Sequence, residues 1–309
     1  MELYFLGTGA GMPTRKRNVT SIALNLMTER GSVWLFDAGE GTQHQMLQSP
    51  IKPGKIEFLF LTHLHGDHSY GVPGLLSSRS YQGGDTPLTI FGPLGTRHFV
   101  ETVLEISGTH LEYEVRFEEI GEGIVFEDEQ FRVTAAKLEH RIESYGYRIE
   151  EKDVPGALDS ARLAREGVPA GPLYAKLKRG ETVTLPDGRT IDGAKYVGTP
   201  QRGRIVAVFG DTRPCPSELP LAQGADVLVH EATYMHERAD NAHRYFHTTA
   251  TQAADLAVRA GVGALILTHL SSRYQDESVH HLLEEARAIF PHSHVAEDFW
   301  SYAIPRRVD

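Results

Sequence analysis

The run Thr62-His63-Leu64-His65-Gly66-Asp67-His68 follows directly on the apolar stretch Ile56-Glu57-Phe58-Leu59-Phe60-Leu61. Three imidazoles and a carboxylate fall together at the point where a strand should end. A strand end is rigid enough to hold ligand geometry and open enough to admit a substrate. Imidazole favours zinc, and the interleaved carboxylate is a hard oxygen ligand for a second ion or for its water. A dinuclear site needs more ligands than one loop supplies, so the fold must bring distant segments to this place. The competing explanation is a solvated loop that happens to be rich in histidine.

Distant candidates exist, and they share one grammar. His140 comes after Phe131-Arg132-Val133-Thr134-Ala135-Ala136, Asp211 after Ile205-Val206-Ala207-Val208-Phe209-Gly210, and His269 after Ala264-Leu265-Ile266-Leu267-Thr268. Each is an apolar β-run ending on a ligand type. Singly, each is as well explained as an ordinary loop residue. In this order after the His-x-His-x-Asp-His run they form a constellation.

Composition narrows the setting. The 309 residues are 40% apolar, enough for a full core. No run approaches the roughly 20 apolar residues that span a bilayer. Met1-Glu2-Leu3-Tyr4-Phe5-Leu6 lacks the basic flank of a signal peptide and reads as a first strand. The single cysteine, Cys215, forms no internal disulfide, which fits a reducing cytoplasm and leaves His and Asp as the metal ligands. A net charge of −10 excludes a general basic surface, so a polyanion must be met by local patches.

Short β-runs alternate with helical signals over most of the chain, which argues for sheets covered by helices. Helices are expected at Thr96–Ile106, at Thr251–Ala260 before Gly261, and at Ser278–Phe290 before Pro291. Residues 150–202 differ, with Pro155-Gly156, Gly167-Val168-Pro169-Ala170-Gly171-Pro172 and Pro186-Asp187-Gly188. From Lys176 to Arg204 there are seven basic residues against three acidic ones. A basic, turn-rich insertion in an acidic chain reads as an arm that meets phosphate, or else as a solvated excursion or dimer strap. The expected organisation is a single domain over 1–309 with a flexible arm inserted at 150–202. Gly7-Thr8-Gly9-Ala10-Gly11 lacks the Gly-Lys-Ser/Thr of a phosphate loop and does not complete Gly-x-Gly-x-x-Gly. Tight turns beside a metal pocket are the use expected of these glycines.

With these residues in hand, the chain resembles the ribonuclease Z family of metallo-β-lactamase-fold hydrolases, in its short form and essentially end to end. Pro13-Thr14-Arg15-Lys16-Arg17-Asn18 resembles the family's Pro-x-Lys-x-Arg-Asn loop, with Arg15 where the family has lysine. His230-Glu231-Ala232-Thr233 matches its His-Glu-Ala-Thr motif, and His247-Thr248-Thr249 resembles its His-Ser-Thr motif. The Gly- and Pro-rich arm resembles its tRNA-binding exosite. The resemblance implies an α/β fold, a four-layer αβ/βα sandwich with a protruding arm and metals at one edge between two sheets.

It further implies two zinc ions per subunit, manganese or another divalent ion being the alternative. One takes His63, His65 and His140; the other takes Asp67, His68 and His269; Asp211 bridges them. Two ions roughly 3.5–4 Å apart clamp the attacking and leaving oxygens of a phosphodiester. Asp67 is placed to ligate and to orient the nucleophile, and Asp37 to hold a histidine ligand or the loop. His247, poised by Glu231, is the expected acid for the departing 3′-oxygen. Arg15, Arg17, Asn18 and Arg273 are expected to meet phosphate or sugar beside the cut. Lys176, Lys178 and Arg179 belong to the arm. The implied substrate is precursor tRNA, cut after the discriminator base by a cytoplasmic homodimer with no membrane association. Two alternatives stand: a small-substrate hydrolase on the same fold, and a nucleic-acid-binding protein without catalysis.

Overall fold

The apolar run before the histidines forms the strand Ile56–Phe60, and it is a middle strand of one of two seven-stranded sheets. The computed structural model describes residues 1–306. Across the first sheet the order is Ser301–Ala303, Glu2–Gly7, Ser21–Leu26, Ser32–Phe36, Ile56–Phe60, Leu88–Gly92 and Val115–Glu119. Across the second it is Ser293–Val295, Ala264–Thr268, Val227–Glu231, Ile205–Phe209, Ser144–Glu151, Phe131–Leu138 and Gly123–Glu127. Both are mixed: Ser32–Phe36, Ile56–Phe60, Leu88–Gly92 and Val115–Glu119 run parallel, as do Ile205–Phe209, Val227–Glu231, Ala264–Thr268 and Ser293–Val295.

Alternate residues of each strand point to opposite faces, and here the two faces differ in kind. Phe5, Trp34, Phe36, Phe58 and Phe60 leave the first sheet on one side and meet Val206, Val208, Val227, Val229 and Ile266 of the second. Leu6, Leu35, Leu59 and Leu61 leave on the other side and pack under the helices Thr42–Leu47, Val72–Tyr81 and Thr96–Ile106 through Met46, Leu75, Leu76 and Val100. The second sheet does likewise. Ala207, Leu228, Leu265 and Leu267 pack under Glu218–Ala222, Ala250–Ala260 and Glu277–Arg287. The result is four layers, helix, sheet, sheet and helix, with flat aromatic stacks such as Phe36 on Phe60 (5.1 Å) and Phe60 on Phe91 (4.8 Å) filling the middle.

The helices come where the sequence places them, with shifted ends. Thr96–Ile106 is as expected. The second starts at Ala250, because Thr249 caps it and forms a capping box with Gln252. The third is Glu277–Arg287 and stops short of Phe290: the chain turns at Ala288, and Arg287 Nε donates to Ser293 O (3.0 Å).

The two sheets are tied at one edge by Tyr145 N, which donates to Thr62 O (2.9 Å). Within the second sheet, Gly210 N donates to Tyr145 O (3.2 Å) and Ser144 Oγ to Asp211 O (2.9 Å). The fully buried Tyr147 hydroxyl donates to Leu61 O (2.6 Å).

Residues Glu150–Arg204, with Pro305 and Arg306, form a compact unit of their own. It has helices Ser160–Arg165 and Leu173–Lys178 and a hairpin of Thr182–Thr184 with Thr190–Asp192. Leu163, Val168, Leu177, Val183, Leu185, Ile191 and Tyr196 make its core. The Pro186-Asp187-Gly188 signal is the hairpin turn, with Gly188 at φ 85. Among the described residues no helix is long and apolar enough to cross a membrane.

Candidate metal centre

His63, His140, Asp211 and His269 each sit just beyond a strand, and His65, Asp67 and His68 follow His63 at the start of and within the short helix Gly66–Ser69. Asp37 follows Ser32–Phe36, His63 follows Ile56–Phe60, His140 follows Phe131–Leu138, Asp211 follows Ile205–Phe209 and His269 follows Ala264–Thr268. Carboxyl ends of strands are where open α/β sheets place their ligands. Three of the residues here hold left-handed backbone without being glycine: Asp37 (φ 58), His269 (φ 54) and Phe246 (φ 61). Such conformations persist where the surroundings over-determine them. Gly39 is obligatory for space, since a Cβ there would strike the Asp67 carbonyl.

Potential ligand atoms of His63, His65, His140 and Asp211 lie within 4.8 Å of one another, and so do those of Asp67, His68 and His269. A third such set joins Asp211, His247 and His269. Hydrogen bonds fix which nitrogens turn inward. His140 Nδ1 donates to Phe246 O (2.9 Å), and His68 Nδ1 to Asp37 Oδ2 (2.7 Å). The Thr62 hydroxyl is spent on Asp37 Oδ2 (2.8 Å), so it accepts from His63 Nδ1 (3.0 Å). The Thr233 hydroxyl is spent on Glu231 Oε2 (2.5 Å), so it accepts from His269 Nδ1 (2.8 Å). Four histidines therefore turn Nε2 to the centre, and His65 turns Nδ1.

His65 Nδ1 lies 3.1 Å from His63 Nε2 and 3.2 Å from His140 Nε2. His68 Nε2 is buried with no hydrogen-bond partner, 3.5 Å from Asp211 Oδ1 and 3.6 Å from Asp67 Oδ2. Burial, then neighbouring imidazoles, hold His63 well below the usual histidine pKa, and burial lowers His65 and His140 as well. Burial would lower His68 too, but Asp211, Asp37 and Asp67 overcome it and raise it to about 10. Three imidazoles held below their usual pKa, and a fourth drawn up by three carboxylates, converge on one place, and such a donor set with an excess of carboxylate charge is what a pair of divalent cations requires. The donor set fits the metal that the sequence implies.

Asp37 serves both ligand groups. It accepts from Thr62 N (2.7 Å) and the Thr62 hydroxyl, behind His63, and from His68. Asp37→Ala is expected to keep the fold and lower metal affinity about 10–100-fold, measured by chelator competition. Unchanged affinity would mean that the ligands need no such support.

Glu231 is equally committed. Its Oε1 accepts from Thr212 N (3.0 Å) and His247 Nδ1 (2.8 Å). Burial opposes its ionisation, but His247, His269 and Thr233 outweigh it and hold the carboxyl below the usual range. Burial alone would lower His247; the Glu231 and Asp211 carboxylates raise it to about 9. His247 does not cap the following helix, since Thr249 does.

The expected substrate contacts divide. Arg15 is exposed with no partner among the described residues. Arg17 is turned inward: its Nη1 donates to Thr8 Oγ1 (2.6 Å) and Ala296 O (2.5 Å). Asn18 Nδ2 donates to Glu40 O (2.9 Å). Arg17 and Asn18 thus brace the loop, and the reason is Asp298, which the sequence reading missed. Asp298 accepts from Thr8 Oγ1 (2.7 Å), Asn18 N (2.6 Å) and Gln45 Nε2 (2.9 Å). The glycine loop supplies Gly11 N to Asp67 Oδ2 (2.7 Å). Arg273 is exposed, 5.5 Å over the Tyr234 ring. Lys176 and Lys178 are exposed on either side of buried Leu177, whereas Arg179 is paired with Glu181 (2.6 Å). Thr233 and Tyr234 were also missed as site residues. A cleft of about 330 Å³ opens over the centre, lined by His65, Asp67, His140, His247, Tyr234 and Tyr245 among others.

The chain is similar to known proteins along its whole length. Residues 1–154 match the family model described as anti-Pycsar protein Apyc1. The metallo-β-lactamase-fold protein YhfI from Bacillus subtilis superposes with a TM-score of 0.67 at 17% identity, over 97% of this chain and 98% of that one. The four-layer arrangement is thus the metallo-β-lactamase fold. Human tRNase Z, short form, superposes with a TM-score of 0.72 at 30% identity, over 99% of this chain and 100% of that one. Ribonuclease Z of Bacillus licheniformis is 59% identical over 306 residues, 99% of this chain and 100% of that one. With that identity carried from end to end, the chain belongs to the ribonuclease Z family.

Proposed function

We infer that His63, His65 and His140 hold one zinc ion, that Asp67, His68 and His269 hold a second, and that Asp211 is shared between them. The convergence of imidazole and carboxylate donors described above supports this assignment; the same donors accept manganese. As a ribonuclease Z the chain is a metal-dependent endoribonuclease acting on precursor tRNA. It removes the 3′ trailer after the discriminator base, leaving a 3′-hydroxyl on the tRNA and a 5′-phosphate on the trailer.

Zinc, when bound, supplies positive charge to the phosphate oxygens and lowers the pKa of water. The chain's own residues do the rest. Asp67, held by the Gly11 amide, lies at the cleft wall where it orients the attacking water. His247 turns Nε2 towards the cleft, with Nδ1 fixed on Glu231, and gives its proton to the departing 3′-oxygen. Arg15 and Arg273 supply positive charge near the cut. The reading includes a cytoplasmic homodimer in which residues 150–202 of one subunit grip the tRNA body for the other's centre. Lys176 and Lys178 lack acidic partners among the described residues, which suits them to phosphate.

The test is cleavage of a 5′-labelled precursor tRNA with zinc present and after chelation. A single zinc-dependent cut after the discriminator base is expected. An intact precursor, alongside hydrolysis of a small thioester, would move the substrate to the small-molecule class. In the same assay, Lys176→Glu with Lys178→Glu should raise KM and reduce the slope of log affinity against log salt by about 2. An unchanged slope would remove these lysines from the interface.

A further inference from the structure

One wall of the cleft carries a chemistry that neither the ligands nor the acid uses. Tyr245 lines the cleft and is 37% exposed. The Arg141 guanidinium carbon lies 5.2 Å from its ring centroid and that of Arg244 5.7 Å. Both arginines are exposed, and neither has an acidic or carbonyl partner among the described residues. Neighbouring Arg213, by contrast, is paired with Glu139. The opposite pair, Tyr234 with Arg273, is less open: its ring is 7% exposed, and Arg273 Nε is engaged by Ser271 Oγ (3.0 Å).

The Tyr245 cluster is also tied to the reacting residues. Arg141 follows the ligand His140 directly. Tyr245 ends the helix Ala239–Tyr245, and Phe246, in left-handed backbone, carries the carbonyl that fixes His140 Nδ1. His247 comes next. Acid and ring therefore sit on one turn, and a carbonyl of that turn holds the ligand His140.

An accessible ring beside two unpaired planar cations suits a ligand with a π face and flanking anionic charge. An unpaired nucleotide has both, whereas a paired one keeps its faces within the helix stack. We propose that Tyr245, Arg141 and Arg244 form the platform for the unpaired nucleotide on the 5′ side of the cut, the base on the ring and the flanking phosphates on the guanidiniums. The 5′ side follows from His247, whose proton goes to the 3′-oxygen of that same nucleotide. Stacking accepts any base, so the platform fixes the position of the cut without reading sequence. This rests on the tRNA-cleavage reading above.

The experiment is a cycle of two changes: Tyr245→Ala in the zinc-loaded enzyme, and an abasic residue at the discriminator of the precursor. Each alone should lower kcat/KM about tenfold or more. Together they should do no worse than either alone, because both remove one interaction. Tyr245→Phe should restore the wild-type value. Independently of cleavage, the cleaved tRNA product with 2-aminopurine as its 3′-terminal discriminator should lose fluorescence on binding the wild type and Tyr245→Phe, but not Tyr245→Ala. Losses that multiply, or a quench that survives in Tyr245→Ala, would overturn the platform alone. A wild-type enzyme that leaves the precursor intact would overturn the tRNA reading and the platform together.

Discussion

Asp211→Ala is expected to empty the centre: zinc falls below one ion per chain by elemental analysis, and precursor cleavage falls about 1,000-fold or more. The magnitude follows from the several kcal/mol of transition-state charge that bound metal supplies, at about 1.4 kcal/mol per tenfold. Asp211 is the residue to remove because both ligand groups converge on it. Its Oδ1 lies 3.5 Å from His68 Nε2, and its Oδ2 lies 3.3 Å from His269 Nε2 and 3.8 Å from His63 Nε2. The fold should survive, since the tie from Ser144 Oγ goes to the Asp211 backbone carbonyl, which the substitution leaves in place. A folded variant with full zinc would contradict the shared role.

His247→Ala should behave in the opposite way, keeping both metals while the chemical step slows by about 100- to 10,000-fold, the usual range for losing a general acid. Single-turnover cleavage of precursor tRNA measures it. The leaving group decides what the loss means. A ribose 3′-oxygen needs a proton as it departs, whereas p-nitrophenolate does not, so hydrolysis of bis(p-nitrophenyl) phosphate should fall far less. Equal losses on both substrates with zinc intact would remove the acid role. Loss of zinc would show instead that His247 acts as a ligand, as its place in a set with Asp211 and His269 permits. Glu231 belongs to the same prediction, because its carboxylate holds Nδ1 and raises the pKa of the imidazole.

How far the sequence reveals these features depends on whether the cause is local. The strand-then-ligand grammar is local, and the structure gathers all seven expected ligand residues from it. The helices at Thr96–Ile106 and Ala250–Ala260 are legible for the same reason, through apolar spacing and a capping threonine. Arg17 shows where such reading ends. In the sequence it stands in a loop rich in positive charge and looks free for phosphate. Its direction is set by Thr8 and by Ala296, the latter 279 positions away, and no pattern within the loop announces them. The Tyr245 cluster was hidden in the same way, since Arg141 and Tyr245 meet only once His140 and His247 have been brought to one cleft. The end of the last long helix was misplaced because Pro291 sets a limit, not an end point; the bond from Arg287 to Ser293 turns the chain earlier.

The main-chain stitches at Thr62, Tyr145 and Gly210 bear on how long the catalytic geometry lasts. Residues that grip a substrate often ride on loops that open many times before the protein unfolds once. Here Thr62, just before His63, is bonded across the gap between the sheets to Tyr145, whose carbonyl also holds Gly210 before Asp211, and the Tyr147 hydroxyl reaches across to Leu61. His63 keeps its place relative to Asp211 for as long as the sheets stay together. The lifetime of the reactive arrangement is therefore that of the whole sandwich, and heat or denaturant should abolish activity and tertiary structure in one step.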